Sequence, residues 1–557
     1  MQETQATGGF VFRIDHLKIR NGRAYAWGWL FHKSKAIVSL SLVLRGQGVE
    51  LHIPSKLGLP RPDVSSDYPY ATALNSGFII AGRVPQRIDQ AFLDVQLEDG
   101  SSSWLDISAP LTKDSARVRR RGWTIIRWAK GTVKYLAAGD LKGWLRQVRY
   151  VLRENLRRGR RAHLRADDIF GVVSRLSKEA HLSVVIDHNL GGGANAYRQR
   201  LIEEKKRDGV PVLLVYYHLP ELEYHGRLIW PGKQQTFVMN PMEHLLGLSS
   251  HFKIQEIFLN NVFSFDDPLF FLTLLLRVKE LTGAPLTVAV HDFFSICPSY
   301  ALLNEKRQFC GIPQTKKCRR CLLENKADFR LLVDCNDITE WRQTWGNVLA
   351  DATTILCFSR SSADLLYRAY PGLDKSKTII RPHHVNRFYD RKPRIDLQAP
   401  LNIGVVGTIS VHKGAAIVEE MAKLIERRRL PVRITVIGEM DRPFRSPAVT
   451  VTGRYRLAAL PRIIEKRKVN VFFLPSIWPE TFCYVAEELM MLGVPLAVFG
   501  LGAQAERVAK HPMGLIISQV DAESALNELI EFHAKLRECR SGISRTPQQP
   551  TTRRNQA

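Results

Sequence analysis

No stretch of this sequence is apolar for long enough to cross a bilayer. The longest apolar run, around Leu269–Leu276, falls far short of the ~20 residues a spanning helix needs. The first residues, Met1-Gln-Glu-Thr-Gln, offer no basic start followed by an apolar core, so no secretory signal is expected. Acidic residues are also few, 54 Asp and Glu against 80 Lys and Arg, which gives a net charge of +26. Such an excess suits nucleic acid, an anionic membrane surface or an acidic substrate. The remaining composition, 45% hydrophobic and 24% charged, is that of a globular protein. It excludes a disordered, collagenous or coiled-coil chain, and 557 residues predict several domains, each with its own core.

The charge is concentrated. Residues 113–165 hold 17 Lys and Arg against Asp114, Asp140 and Glu154. Within them Leu141, Trp144, Leu145, Val148, Val151, Leu152 and Leu156 recur at helical spacing beside a basic stripe from Lys142 to Arg160. A basic face next to a Trp/Leu face is what an interfacial membrane helix needs, each cation contributing on the order of 1 kcal/mol at an anionic leaflet. The alternatives are a linker helix packed on its own protein and a nucleic-acid contact, and the membrane surface is favoured. No nucleic-acid reading motif accompanies the charge.

Either side of this segment the patterning differs. Residues 1–112 alternate short strands with turn residues, predicting a small all-β sandwich. From Leu182 apolar strands alternate with helices, predicting two parallel α/β sheets, a domain at 169–388 and another at 389–540, with a hinge near 385–400. Residues 541–557 read as a disordered tail. In such sheets ligands bind at the carboxyl ends of strands.

Four motifs occupy such positions. Gly191, Gly192 and Gly193 follow the Leu182–Ile186 strand and precede a helix, where backbone N–H groups can approach an anion or a sugar. They lack GxGxxG spacing and any following Gly-Lys-Ser/Thr, against a dinucleotide fold or a P-loop. His291 and Asp292 end a second strand. Gly407 and Thr408 end a third, followed by Lys413, a point charge suited to a diphosphate. Leu474-Pro-Ser-Ile-Trp-Pro-Glu480-Thr481-Phe482-Cys483 leads into a helix bearing Glu488. Thr481 is the expected N-cap, leaving the next amides as donors. Glu480 and Glu488 either bracket a ligand or serve the helix dipole and the surface.

The order of these motifs, with Pro-Glu-Thr-Phe-x4-Glu-Glu and Met490-Met-Leu-Gly-Val-Pro495, resembles glycosyltransferase family 4 over roughly 180–535. His291-Asp-Phe-Phe-Ser-Ile-Cys-Pro298 and Val451-Thr-Gly-Arg-Tyr455 are similar to enzymes that build bacterial O-antigen and other surface polysaccharides. Gly28-Trp29, Arg61-Pro-Asp63 and Ser76-Gly-Phe78 resemble a β module found beside some of them. The resemblance implies a GT-B fold, two Rossmann-like domains facing a cleft, and a retaining transferase. It also implies a nucleotide-diphosphate sugar donor, mannose- or rhamnose-like favoured, and a lipid-linked or growing polysaccharide acceptor. By position Glu480 would contact the transferred sugar, Glu488 the ribose, and Lys413 the leaving diphosphate with amides near Thr481–Cys483. Gly191–Gly193 would approach from the opposite wall and His291 would lie against the sugar. No metal is required for catalysis, in agreement with the absence of any Asp-x-Asp triplet. The implied location is the inner face of the cytoplasmic membrane. Many family members carry Arg where this chain has Thr408, and Arg454 or Arg381 is the expected substitute. That departure leaves an alternative, a non-catalytic glycan-binding or scaffold protein. Finally, Cys297, Cys310, Cys318 and Cys321 have spacing that suits a structural zinc site, with nearby Lys316, Lys317, Arg319 and Arg320 favouring thiolates.

Overall fold

The computed structural model describes residues 4–108, 181–325 and 333–542, apart from 21, 47, 60, 85–87, 252, 334, 336, 386–388, 441–443 and 445. The basic segment 113–168 lies outside the described residues, as does the tail from 543 onward. Residues 541 and 542 instead end the helix Ala522–Gly542. Two compact units divide the described chain.

The first unit begins with eight strands: β1 (Gln5–Thr7), β2 (Phe10–Arg20), β3 (Arg23–His32), β4 (Ile37–Gly46), β5 (Val49–Leu59), β6 (Gly77–Arg83), β7 (Gln90–Leu97) and β8 (Ser102–Asp106). They form one antiparallel sheet in the order β1-β2-β3-β6-β5-β4-β7-β8. Phe12, Ile14 and Leu30 from one half share a core with Leu42, Leu93 and Val95 from the other. The expected sandwich is therefore a single sheet turned over on itself, with β5 pairing on one side to β4 and on the other to β6.

Next come β9 (Leu182–Ile186), β10 (Val212–His218), β11 (Glu223–Trp230), β12 (Lys233–Met239), β13 (Ile254–Leu259) and β14 (Leu286–Val290). Their order is β12-β11-β10-β9-β13-β14. β9 pairs in parallel with β10 and β13, whereas β10, β11 and β12 are antiparallel, so this sheet is mixed. The helix Pro268–Thr282 shows how local sequence sets bounds. The Asp267 side chain accepts from the Phe270 amide at 3.0 Å, Pro268 fixes the first turn, and Gly283 closes it in the left-handed region.

The antiparallel module is bonded to this sheet within the same unit. His16 Nε2 lies 2.6 Å from the Pro220 carbonyl oxygen, Arg20 pairs with Glu223, and Arg23 Nε lies 2.6 Å from Asp266. Arg23 is buried, and burial pushes the Asp266 carboxyl up despite its partner.

The second unit comprises Val290–Lys326, Asn336–Arg342 and everything from Ile355. The two units interleave along the chain between Ala289 and Ile355. Hydrogen bonds and ring contacts tie the early segments to the C-terminal sheet, as described below. Here β15 (Thr354–Cys357) pairs in parallel with β16 (Thr378–Ile380). The second sheet contains β17 (Asn402–Ile409), β18 (Arg433–Met440), β19 (Val449–Val451), β20 (Val471–Leu474), β21 (Leu496–Phe499) and β22 (Gly514–Ile517). All pairings are parallel, in the order β19-β18-β17-β20-β21-β22. Alternate residues feed two cores: Ile403, Val436 and Phe473 one, Val406, Ile437 and Phe472 the other. A sheet buried on both faces presents only its strand ends to ligands. The strand order reverses between β17 and β20, the switch point where a doubly wound sheet opens a crevice.

Arg23→Ala leaves the Asp266 carboxylate without its closest cation and is expected to cost about 3 kcal/mol. Hydrogen-exchange protection in β2 and β3 should fall, and the double variant Arg23→Met/Asp266→Leu should recover most of it.

Candidate functional site

The loops leaving β17 and β20 meet at the switch point. The Ile477 amide donates to the His412 carbonyl oxygen at 3.1 Å. Gly414 has φ +82°, and a Cβ there would lie 2.0 Å from the Pro475 carbonyl oxygen. Only glycine allows both the left-handed conformation and this approach. Lys413 thus stands on one loop against the loop carrying Glu480. The Glu480 carboxylate holds the Lys413 ammonium above the ordinary lysine range, outweighing the opposing effect of burial. Ser476 Oγ donates to Glu480, which is 7% exposed, and the Ala503 amide donates to the Glu480 carbonyl oxygen at 2.8 Å. Gly502 repeats the device at φ +62°: a Cβ would lie 2.6 Å from the Glu480 nitrogen. The Cys483 thiol, pushed up by burial and by Glu480, stays neutral beside the pair.

The helix Tyr484–Leu492 has Cys483 as N-cap, with no side-chain cap. Thr481, the expected cap, instead donates its hydroxyl to the His291 carbonyl oxygen at 2.6 Å. That bond ties the end of β14 to the β20 loop inside the second unit. The His291 ring stacks on Phe358 at 4.6 Å and on His383 at 5.4 Å, and Phe482 meets His383 edge-on at 4.8 Å. Asp292 accepts from the Phe294 amide at 2.9 Å. Trp478 packs edge-on against His412, Phe293 and Tyr300. Glu488 is 2% exposed, so it is not a surface charge.

Thr408 is exposed at the end of β17, and its register partner on β18 is Glu439. Arg454 Nε donates to Glu439 at 2.9 Å, placing a guanidinium beside the position where Thr408 provides no cation. The Arg454 side chain is 88% exposed, so its ion pair contributes about 0–1 kcal/mol and yields readily to a ligand phosphate. Arg381 donates its backbone amide to the Cys357 carbonyl oxygen at 2.9 Å. Gly407, at φ +119°, faces Gly438 across the same strand pair.

The glycine loop belongs to the first unit. Gly191 and Gly192 have φ of +89° and +83° at the start of the helix Gly192–Arg207, and Gly193 continues its first turn. Beneath them is a polar network the sequence reading missed. Asn195 Nδ2 donates to Asp187 at 2.7 Å and to the His188 carbonyl oxygen at 2.9 Å, while its Oδ1 accepts from the Gly191 amide at 2.6 Å. Arg198 pairs with Asp187 at 3.0 Å. Asp187 is wholly buried, and burial pushes its carboxyl up. A charged residue directly after the apolar run Val184–Ile186 was the available signal.

Burial pushes the Cys297 and Cys310 thiols up and, with a hydrogen bond to Glu305, pushes Cys321 to about 11. Cys318 Sγ donates to the Pro313 carbonyl oxygen and accepts from Arg342, both at 3.6 Å. Among the described residues no group of three or more His, Cys, Asp or Glu side chains is arranged to hold a metal ion, the four cysteines of the expected zinc site included. Nor, among the described residues, is any helix long and apolar enough to cross a membrane.

Residues 400–535 match the family model of the group 1 glycosyl transferases. This group 1 domain contains Lys413, Arg454, Glu480 and Glu488, with Gly407, Thr408 and Thr481–Cys483; His291, Asp292 and the glycine loop lie outside it. The match is a similarity to the group 1 glycosyl transferases over that stretch, about a quarter of the chain. No curated protein matches the chain. Among solved structures, HepE of Anabaena in complex with UDP-glucose is 13% identical, over 64% of this chain and 91% of that one, with a TM-score of 0.39. Sucrose-phosphate synthase from Thermosynechococcus elongatus is 14% identical, over 65% and 99%, with a TM-score of 0.41. The lipopolysaccharide outer core galactosyltransferase WaaB in its apo form is 10% identical, over 66% and 91%, with a TM-score of 0.40.

A lysine held above its ordinary value near 10.5 keeps its charge, and the stabilisation it provides, until the pH passes that value. Binding of a phosphate ligand that pairs with Lys413 should therefore be flat from neutral pH to about 9.5. In Glu480→Gln the raising charge is gone, and binding should begin to fall at lower pH. Calorimetric titration across pH checks both.

Proposed function

We propose that the protein is a retaining glycosyltransferase. It moves a mannose- or rhamnose-like sugar from a nucleotide-diphosphate donor to a lipid-linked or growing surface-polysaccharide acceptor at the inner face of the cytoplasmic membrane. The observation that carries this reading is the Lys413–Glu480 pair at the switch point of the group 1 domain.

The bond between the sugar's anomeric carbon and the diphosphate oxygen breaks, and a bond to an acceptor hydroxyl forms with configuration retained. The main demand is negative charge growing on the departing diphosphate. Lys413 supplies a fixed cation, and the uncapped amides of the Tyr484–Leu492 helix supply oriented donors that need no reorganisation. Arg454 adds a second cation once a phosphate draws it from Glu439. Glu480, anchored by Ser476, faces the transferred sugar, and buried Glu488 takes the ribose hydroxyls. A Cys483 held neutral adds no repulsion. Nothing in this scheme calls on a catalytic metal. The basic segment 113–165, net +14 by sequence, is the reason for an anionic leaflet as the place of work.

Lys413→Ala and Glu480→Ala should each lower nucleotide-sugar turnover by about 100-fold or more, the size of effect seen when one preorganised electrostatic group is removed. Arg454→Ala should mainly raise KM for the donor. A screen of diphosphate sugars with wild type and variants decides it: unchanged transfer in both alanine variants would place the chemistry elsewhere. Reversing the charges of 113–165 should release the chain from phosphatidylserine vesicles, read by co-sedimentation, while leaving neutral vesicles unbound as before.

A further inference from the structure

The antiparallel module contains a recess of about 380 Å³. Four stretches line it: Thr4 ahead of β1, Arg13 and Asp15 from β2, Trp29 from β3, and Arg61, Asp67 and Tyr68 from the segment after β5. Glycines let them converge. A Cβ on Gly28 would lie 2.2 Å from the Arg13 carbonyl oxygen, and one on Gly77 would lie 2.8 Å from the Leu59 carbonyl oxygen and 3.1 Å from Arg61 Cγ. Asp15 is shared by two guanidinium groups: Arg61 Nη1 donates to it at 2.8 Å and Arg13 Nε stands 3.2 Å away. That Arg13 Nε is buried and meets no acceptor in hydrogen-bonding geometry. Tyr68 tilts over Trp29 with ring centroids 5.6 Å apart, and Phe31 backs Trp29 at 6.0 Å.

This lining has a definite chemical preference. Two arginines and two aspartates cancel, so the recess exerts little net pull on an anion or a cation. It is nevertheless dense in planar, charged donors and acceptors held in fixed positions beside aromatic rings. A neutral ligand with a fan of hydroxyls and an apolar face satisfies both features, and the volume admits a sugar ring of ordinary size. We infer that the module binds a neutral saccharide in the recess formed by Arg13, Asp15, Trp29, Arg61, Asp67 and Tyr68, separately from the donor site.

The test uses the full chain and methyl α-mannoside, methyl α-rhamnoside and methyl α-glucoside as probes, followed by saturation-transfer NMR. At least one glycoside should bind, with affinity about tenfold lower in Asp67→Ala and in Tyr68→Ala, the effect of losing one charge-assisted contact. Asp67 is exposed, so its removal leaves the fold intact. Binding should persist in Glu480→Ala, which separates this site from the transferase reading. Absence of binding by all three glycosides, equal binding by the Asp67 and Tyr68 variants, loss of binding in Glu480→Ala, or displacement of the glycoside by inorganic phosphate would each overturn the inference.

Discussion

The close approach of two loops at the switch point of the C-terminal sheet is what the rest of the site depends on. Gly414 lies against the Pro475 carbonyl, and Gly502 lies against the Glu480 backbone. These contacts bring a lysine from the β17 loop to a carboxylate from the β20 loop. The sheet's topology makes that meeting possible, because only at the reversal of strand order do two carboxyl ends diverge enough to leave a crevice. Its two buried faces make the meeting rigid. A larger residue at either glycine would push the loops apart, and the Lys413–Glu480 interaction would decline with distance.

Two buried polar arrangements in the chain obey the same rule by different means. Asp187 is wholly buried and is kept in place by Asn195 and Arg198, with hydrogen bonds and charge together offsetting its desolvation. Glu480 is secured by Ser476 and by the lysine that it raises. In the first case the polar groups hold a glycine loop in shape. In the second they hold a carboxylate of one loop beside a lysine of another. Thr408 fits this picture once Glu439 and Arg454 are included. Arg454, on the loop after β19, donates to the half-buried Glu439 that faces Thr408 across the strand pair.

Much of this was legible from residues alone, and the failures have causes. Strands such as Val471–Leu474 and Leu496–Phe499 are short, wholly apolar runs, and their pattern is decisive. In β11 and β12 the apolar runs Leu228–Trp230 and Phe237–Met239 are only three residues long and are separated by polar residues, so their hairpin pairing left a weaker trace. β5 contains Pro54 and Gly58, residues that ordinarily argue against a strand. Glu480 and Lys413 were readable because motif order fixed their strand ends. The role of Thr481 was not, since its partner is a carbonyl 190 residues away. Ring contacts from Phe293 and Tyr300 to Trp478, and from Tyr300 to His412, together with the Arg360 amide donating to Glu506 at 3.1 Å, bind early segments to the late sheet without any mark in local composition.

The attachment of the β module gives its recess a mechanical meaning. A hydrogen bond from His16 and an ion pair from Arg20 join β2 to the turn and strand that follow β10, and Arg23 at the start of β3 pairs with Asp266 in the loop after β13. β2 and β3 also supply Arg13, Asp15 and Trp29 to the recess. A saccharide held there is therefore held at a set distance from the sheet that carries the glycine loop, because both are parts of one compact unit. A tethered ligand with a fixed offset raises the local concentration of whatever it is attached to, but only over the span that the offset allows. On that argument the module would favour glycans long enough to bridge the offset over single sugars. Chain length, more than sugar identity, becomes the property it selects.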